Sequence, residues 1–84
     1  MLTLAQAEEE HGYTVKGING DARFISRITS VGLTTGGTLK VIRNAKRLPL
    51  LIYSRDTMLA INRREAENIH VEVSNSYSDR KSVV

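Results

Sequence analysis

The sequence predicts a small, mainly β fold: a barrel of about five short strands, with one inserted α-helix and a short helical turn before the last strand. The chain has 84 residues, enough for a single hydrophobic core. Short runs of alternating apolar and polar residues, separated by turn residues, are typical of strands. Only residues 21–31 show the spacing of an amphipathic helix. Closure into a barrel would also remove the exposed edges of so small a sheet.

The first strand is predicted at residues 13–18, after a short helical turn at residues 2–7. Tyr13 and Val15 fall on one side of this strand, and the polar residues between them fall on the other. The glycines of residues 17–21 then lead the chain into the helix.

The helix is predicted to begin at Asp21, because aspartate is a good N-cap. Phe24, Ile28 and Val31 recur at spacings of four and three, so they are predicted to face the core. Gly32 stands where a helix ends most easily, since glycine adopts a positive φ without steric cost.

A glycine turn connects the helix to the second strand. Leu33 can fold back on the last helical turn as the apolar partner of a Schellman-type cap. Gly36 and Gly37 allow a tight turn over residues 34–37, and alternation resumes at residues 38–43.

Two further strands are predicted at residues 50–53 and 58–61, after a loop at residues 44–49. A four-residue connection, residues 54–57, joins them. Both strands are apolar on both faces. They are therefore predicted to be central in the barrel or to lie beneath the helix.

The last strand is predicted at residues 69–73, after a short helical turn at residues 63–68. Asn62 and Glu65 have the spacing of a capping box, which would start that turn. Ala66 and three residues of the strand are predicted to face inward: Ile69, Val71 and Val73.

Residues 1–73 are thus predicted to form one domain. Residues 74–84 are polar and lack periodicity, so they are predicted to be a mobile tail.

The net charge of +3 is unevenly distributed along the chain. Residues 1–22 contain four acidic residues against Lys16, whereas residues 40–64 contain seven basic residues against Asp56. A basic stretch can bind nucleic acid or an acidic protein surface, or can simply be solvated. The chain has no cysteine, which excludes disulfide bonds and thiolate metal sites.

The longest apolar run, residues 48–53, is far too short to cross a bilayer. The amino-terminal residues lack a basic segment followed by a long apolar one, so no signal peptide is expected. The sequence therefore predicts a cytoplasmic protein without direct membrane insertion.

No pattern of residues indicates catalysis or a bound cofactor. His11 and His70 lie far apart in the sequence, and the consecutive glutamates 8–10 cannot all converge on one ion. The chain lacks the glycine-rich motifs that hold phosphates. The sequence predicts no enzyme activity, no cofactor and no metal site.

The region around the glycine turn resembles a known family. Residues 27–41, RITSVGLTTGGTLKV, are similar to the pattern R-L-x-x-h-G-h-x-x-G-x-x-h-x-V (h is apolar) of the ferrous iron transport protein A (FeoA) family. Residues 58–71 resemble its closing pattern, h-A-L-x-x-x-x-A-x-x-I-x-V. The resemblance covers roughly residues 4–73. In the loop where the family usually has A-P-h-G-D-P, this chain keeps only the last proline, Pro49.

The resemblance implies an SH3-like barrel, in agreement with the fold predicted from the strands. It also implies a small accessory protein of ferrous iron uptake, which acts by protein–protein interaction with the GTPase-bearing cytoplasmic part of the FeoB permease. Iron would then be the cargo of the partner. The alternatives are a free-standing SH3-like domain related to those of iron-dependent repressors, or a small basic barrel that binds nucleic acid. The chain has four aromatic residues, too few to form a surface on which bases would stack. No nucleic acid is therefore expected as a partner.

Two surfaces are candidates for binding the partner. The first is the outer face of the helix, where the 100° step per residue turns four side chains to solvent: Arg23, Ser26, Arg27 and Ser30. The second is an apolar contact surface formed by Leu48 and Leu50. The glycines of the turn are predicted to be structural: Gly32, Gly36 and Gly37. Self-association is left open.

Overall fold

The computed structural model describes residues 2–74, which form one antiparallel sheet, two α-helices and a 3₁₀ helix. The elements in chain order are β1 (Leu2–Thr3), the 3₁₀ helix (Leu4–Gln6), β2 (Gly12–Ile18), α1 (Ala22–Ser30), β3 (Thr38–Arg43), β4 (Leu50–Ser54), β5 (Thr57–Ile61), α2 (Arg63–Ala66) and β6 (Ile69–Val73). The strand order across the sheet is β1-β6-β2-β3-β4-β5. The mainly β, SH3-like architecture with one inserted helix is confirmed.

The sheet has one strand more than the sequence predicts. Leu2–Thr3, predicted as part of a helical turn, pairs with residues 70–71 of β6 and forms a sixth strand. Within the described part of the chain, β1 and β5 are the two edges of the sheet and do not pair with each other. The small barrel therefore has no hydrogen-bonded pairing between β1 and β5, and β5 is left as an edge.

The hydrophobic core lies on the inner side of the sheet and receives one or two side chains from almost every element. Val15, Leu39, Ile52 and Val71 supply it from neighbouring strands and are nearly inaccessible to solvent. The helical elements complete the same cluster with Leu4, Ile28 and Ala66. Burying a large aliphatic side chain contributes about 1.5 to 3 kcal/mol, so this single cluster is the main source of stability.

Two valines predicted to face the core are exposed. Val31 is 42% exposed because it is the C-cap of α1, and the buried Leu33 takes the place beside the last turn. Val73 is 60% exposed because it borders an open cleft, whose lining also includes Leu2 and Tyr13.

Both ends of α1 have the caps that the sequence predicts. The amide of Phe24 donates to Oδ1 of Asp21 at 2.8 Å, which satisfies one of the free donors of the first turn. At the other end, Leu33 N donates to Ile28 O and Gly32 N donates to Thr29 O, the two hydrogen bonds of a Schellman motif. Gly32 has a φ of +115°, so a positive φ at this residue is confirmed.

The glycine turn is docked on β2. Gly37 N donates to Thr34 O at 2.9 Å, and Gly36 has a φ of +91°, as a type II turn requires at its third residue. Gly36 N also donates to Val15 O, and Val15 N donates to Gly37 O. The turn thereby fixes the direction in which β3 leaves α1.

The connection between β4 and β5 is shorter than predicted. Ser54 and Thr57 pair within the sheet, so the turn consists of Arg55 and Asp56 alone, both with positive φ. This is the backbone of a type I′ hairpin, which is compatible with the right-handed twist of the strands. β4 is an inner strand, as predicted, but β5 is not.

Asn62 caps α2 as predicted, since its side chain accepts a hydrogen bond from Glu65 N at 2.8 Å. The second half of the predicted capping box is replaced, because the Glu65 carboxylate pairs with Arg27 of α1. α2 is also shorter than the predicted residues 63–68 and ends at Ala66.

The predicted mobile tail lies outside the described residues except for Ser74. That residue is buried, and its amide donates to Gly12 O at 2.9 Å, so it belongs to the folded domain. None of the helices in residues 2–74 has the length and hydropathy needed to cross a bilayer.

Candidate partner-binding surface

The helix face proposed from the sequence is exposed, but its two arginines are not equivalent. Arg23, Ser26, Arg27 and Ser30 all lie on the solvent side of α1. Ser30 is partly satisfied within the helix, because its hydroxyl donates to Ser26 O at 2.8 Å.

Arg27 has partners within the chain. Its guanidinium forms an ion pair with Glu65 of α2 and lies 5.7 Å from the centroid of the Phe24 ring, a cation–π distance. The Glu65 side chain is only 19% exposed, so the pair is better shielded from water than most surface pairs. The expected two-arginine cationic face is therefore reduced to Arg23, and Arg27 ties α1 to α2.

The apolar surface predicted at Leu48 and Leu50 is only half correct. Leu50 is fully buried, because the first residue of β4 points into the core, and it cannot contact a partner. Leu48 is 49% exposed. It lines an open cleft of about 220 Å³ with four other residues: Arg43, Pro49, Leu51 and Ala60.

The loop that carries Leu48 is fixed by Asn44 and Arg63. Nδ2 of Asn44 donates to the carbonyls of Ala5 and Ala7, and its backbone amide donates to Glu9 Oε2. The Arg63 guanidinium of α2 donates to Asn44 Oδ1 and to the carbonyls of two loop residues, Ala45 and Leu48. The loop is thus held by partners that lie far from it in sequence.

The exposure of β5 was not predicted from the sequence. Met58 is 55% exposed, and its cross-strand partner Tyr53 is 38% exposed. Ala60 is also exposed and lies opposite Leu51. Alternation could not reveal this surface, because the run from Met58 to Ile61 is apolar throughout and strand order is a property of the whole sheet.

Basic residues flank β5 in the sequence. Residues 43–64 contain six basic residues against Asp56. The seventh cation of the basic stretch, Lys40, pairs with Glu10. The other six have no carboxylate partner among residues 2–74: Arg43, Lys46, Arg47, Arg55, Arg63 and Arg64.

The candidate metal ligands remain apart. In the described residues, no three His, Asp or Glu side chains approach closely enough to hold an ion together. His11 Nε2 lies 3.6 Å from Glu8 Oε1 beside a cleft of about 550 Å³, whereas Nε2 of His70 lies 2.6 Å from Nδ2 of Asn19. The two histidines therefore belong to different parts of the surface.

The family model and a sequence relative point to the same family. The model of the FeoA domain matches residues 2–73. A protein of Methanocaldococcus jannaschii, described provisionally as Fe(2+) transport protein A, is 38% identical over 72 residues, which are 86% of this chain and 87% of that protein.

Solved structures share the fold. The crystal structure of an iron uptake regulatory protein (FeoA) has a TM-score of 0.83 at 23% identity and covers 87% of this chain and 97% of that chain. The manganese regulator SloR has a TM-score of 0.77 at 18% identity, but the match spans only 34% of its chain, so this likeness shows the fold alone. By the match over residues 2–73, this chain belongs to the FeoA family, which takes part in ferrous iron transport.

Proposed function

We propose that this chain is a cytoplasmic accessory protein of ferrous iron uptake and acts by binding the GTPase-bearing cytoplasmic part of a FeoB-like permease. The observation that carries the proposal is the FeoA match over almost the whole described domain, together with the M. jannaschii relative. In this function the iron is cargo of the permease, and the accessory protein contributes contacts rather than catalysis.

The exposed face of α1 supports a role in contacts. Arg23 projects from the helix and has no carboxylate partner within residues 2–74, so its charge is available to an acidic surface. Charges at the rim of an interface mainly raise the association rate and select the partner.

The test is co-purification of the full chain with the cytoplasmic domain of the permease, combined with iron uptake in cells that lack the native protein. Arg23→Glu should weaken co-purification and slow uptake while leaving the melting temperature unchanged. Arg27 is not suitable for this test, because its reversal would place a carboxylate beside Glu65.

The matched control is Lys16→Glu, which changes the net charge by the same amount on β2. Lys16 lies 3.9 Å from Glu72, and both side chains are well exposed, so water screens a reversal there, unlike a reversal beside the shielded Glu65. This control should bind like the parent. If the unmodified chain does not co-purify with the permease domain, the proposed function is wrong. If Arg23→Glu binds normally, only the α1 surface is excluded.

The second candidate is a free-standing SH3-like domain related to those of iron-dependent repressors, and the likeness to SloR extends to the fold alone. The match to the M. jannaschii relative covers most of that protein, whereas the match to SloR covers only a small part of its chain. Ferrous iron transport is therefore the better-supported function.

A further inference from the structure

We propose that the open edge of β5 binds an extended, acidic segment of a partner protein as an additional strand of the sheet. This surface is separate from the outer face of α1, and the inference stands whether or not the partner is a permease.

The first argument is the hydrogen-bonding direction of β5. Ser54 and Thr57 close a two-residue hairpin and therefore form a hydrogen-bonded pair. From there along the two strands, non-hydrogen-bonded and hydrogen-bonded pairs of residues alternate. The pairs of Tyr53 with Met58 and of Leu51 with Ala60 are the non-hydrogen-bonded ones. The N–H and C=O groups of Met58 and Ala60 thus point away from β4, where a further strand would pair with them.

The second argument is that the edge carries none of the features that normally prevent strand addition. Natural edge strands are protected by lysine, proline, inward charges or bulges. The sequence of β5, TMLAI, has no charged residue and no proline, and it pairs with β4 without a bulge. Met58 and Ala60 are nevertheless exposed.

The third argument identifies the occupant by charge. Of the six cations described above, Arg43 lines the same cleft as Ala60. Arg55 and Arg64 lie close to the two ends of β5 in the chain, whereas Arg63 is engaged with the β3–β4 loop. Pairing β5 with a second copy would bring two such basic surfaces together, which is unfavourable. A segment with alternating apolar and acidic residues fits both the unpaired backbone of β5 and the cations near it. Its backbone pairs with β5, and its carboxylates pair with the cations.

The experiment uses the full chain and two synthetic peptides, one of alternating glutamate and valine and one of alternating lysine and valine. The acidic peptide should bind at least about tenfold more tightly than the basic one, and added salt should weaken its binding. In hydrogen exchange measured by NMR, the acidic peptide should slow exchange at the Met58 and Ala60 amides, which pair with no other strand.

Two variants test whether the backbone is the recognised group. Ala60→Pro removes an outward N–H without removing a donor to β4, and it should weaken peptide binding by roughly fivefold or more. Ala60→Val changes the same exposed position but keeps the N–H, so it should bind like the parent. If the proline variant does not fold, the exchange measurement on the parent chain decides.

Several results would overturn the inference. These are equal binding of the two peptides, no binding of the acidic peptide, protection at amides outside β5, or equal binding by the two Ala60 variants. Protection of Met58 and Ala60 that grows with the concentration of the chain alone would show that a second copy occupies the edge instead. None of these results bears on co-purification with the permease, which tests the proposed function separately.

Discussion

At the scale of single residues, Gly32 is the position where the backbone most restricts the sequence. Its φ of +115° is costly for any residue with a Cβ, whereas an added Cβ would meet no atom within 4 Å. Gly32→Val should therefore lower the free energy of unfolding by about 1 to 3 kcal/mol through backbone strain alone. Chemical denaturation measures this change.

Gly17→Val is the control for that substitution. Gly17 lies in β2, also has open space around its Cα, and does not have a positive φ. Because valine favours strands, this change should alter stability by less than about 0.5 kcal/mol or increase it. Similar losses in the two variants would contradict the role assigned to the helix cap.

Residues that act on their neighbours in sequence were predicted correctly. Asp21, Gly32 and Asn62 are caps whose partners lie within a few positions, so the local pattern contains the necessary information. The carboxylate of Glu65 was misassigned because it can serve either its own N-cap or Arg27, which lies 38 positions away. Only the tertiary structure brings that arginine within reach.

At the scale of elements, the ion pair between Arg27 and Glu65 links α1 to α2. A double-mutant cycle with Arg27→Ala and Glu65→Ala should give a coupling free energy of about 0.3 to 1 kcal/mol, because one partner is well shielded from solvent. The more exposed pair of Lys16 and Glu72 is the comparison, and it should show no measurable coupling. A null result for Arg27 and Glu65 would show that the helices are held together by the core alone.

The existence of most elements was predictable, but their positions in the sheet were not. The alternation in residues 13–18 and 69–73 specified β2 and β6, since one face of each strand is buried. β1 has only two residues, too few to establish a period. β5 reads as a buried strand because its outer residues, Met58 and Ala60, are as apolar as its inner ones.

At the scale of the whole molecule, we expect no stoichiometric binding of Fe²⁺ to the isolated chain. The groups that could bind it are dispersed over the described surface, and the pair of Glu8 and His11 supplies only two ligands. Anaerobic calorimetric titration and elemental analysis measure this directly. Tight uptake of one ion per chain would contradict the assignment of iron as the cargo of a partner.

The barrel as a whole was predictable from length, strand spacing and the glycine turn, whereas the exposure of the candidate partner-binding residues was predictable only in part. Helical periodicity placed Arg23 correctly on the solvent side of α1. Leu50 was assigned to the same surface as Leu48, yet two positions along the chain the backbone has entered β4 and buries its side chain. Exposure at the end of a loop depends on where the strand begins.

The place of β6 in the sheet has a consequence for biosynthesis. Of the strands in residues 2–74, β6 is the last to leave the ribosome, but it lies between β1 and β2. Until residues 69–73 emerge, β1 has no strand to pair with and β2 lacks one of its two neighbours. Contacts between residues so far apart in sequence form slowly. We therefore expect that the sheet cannot be completed, and that Val15 lacks its β6 partner Val71, until Val73 has left the ribosome.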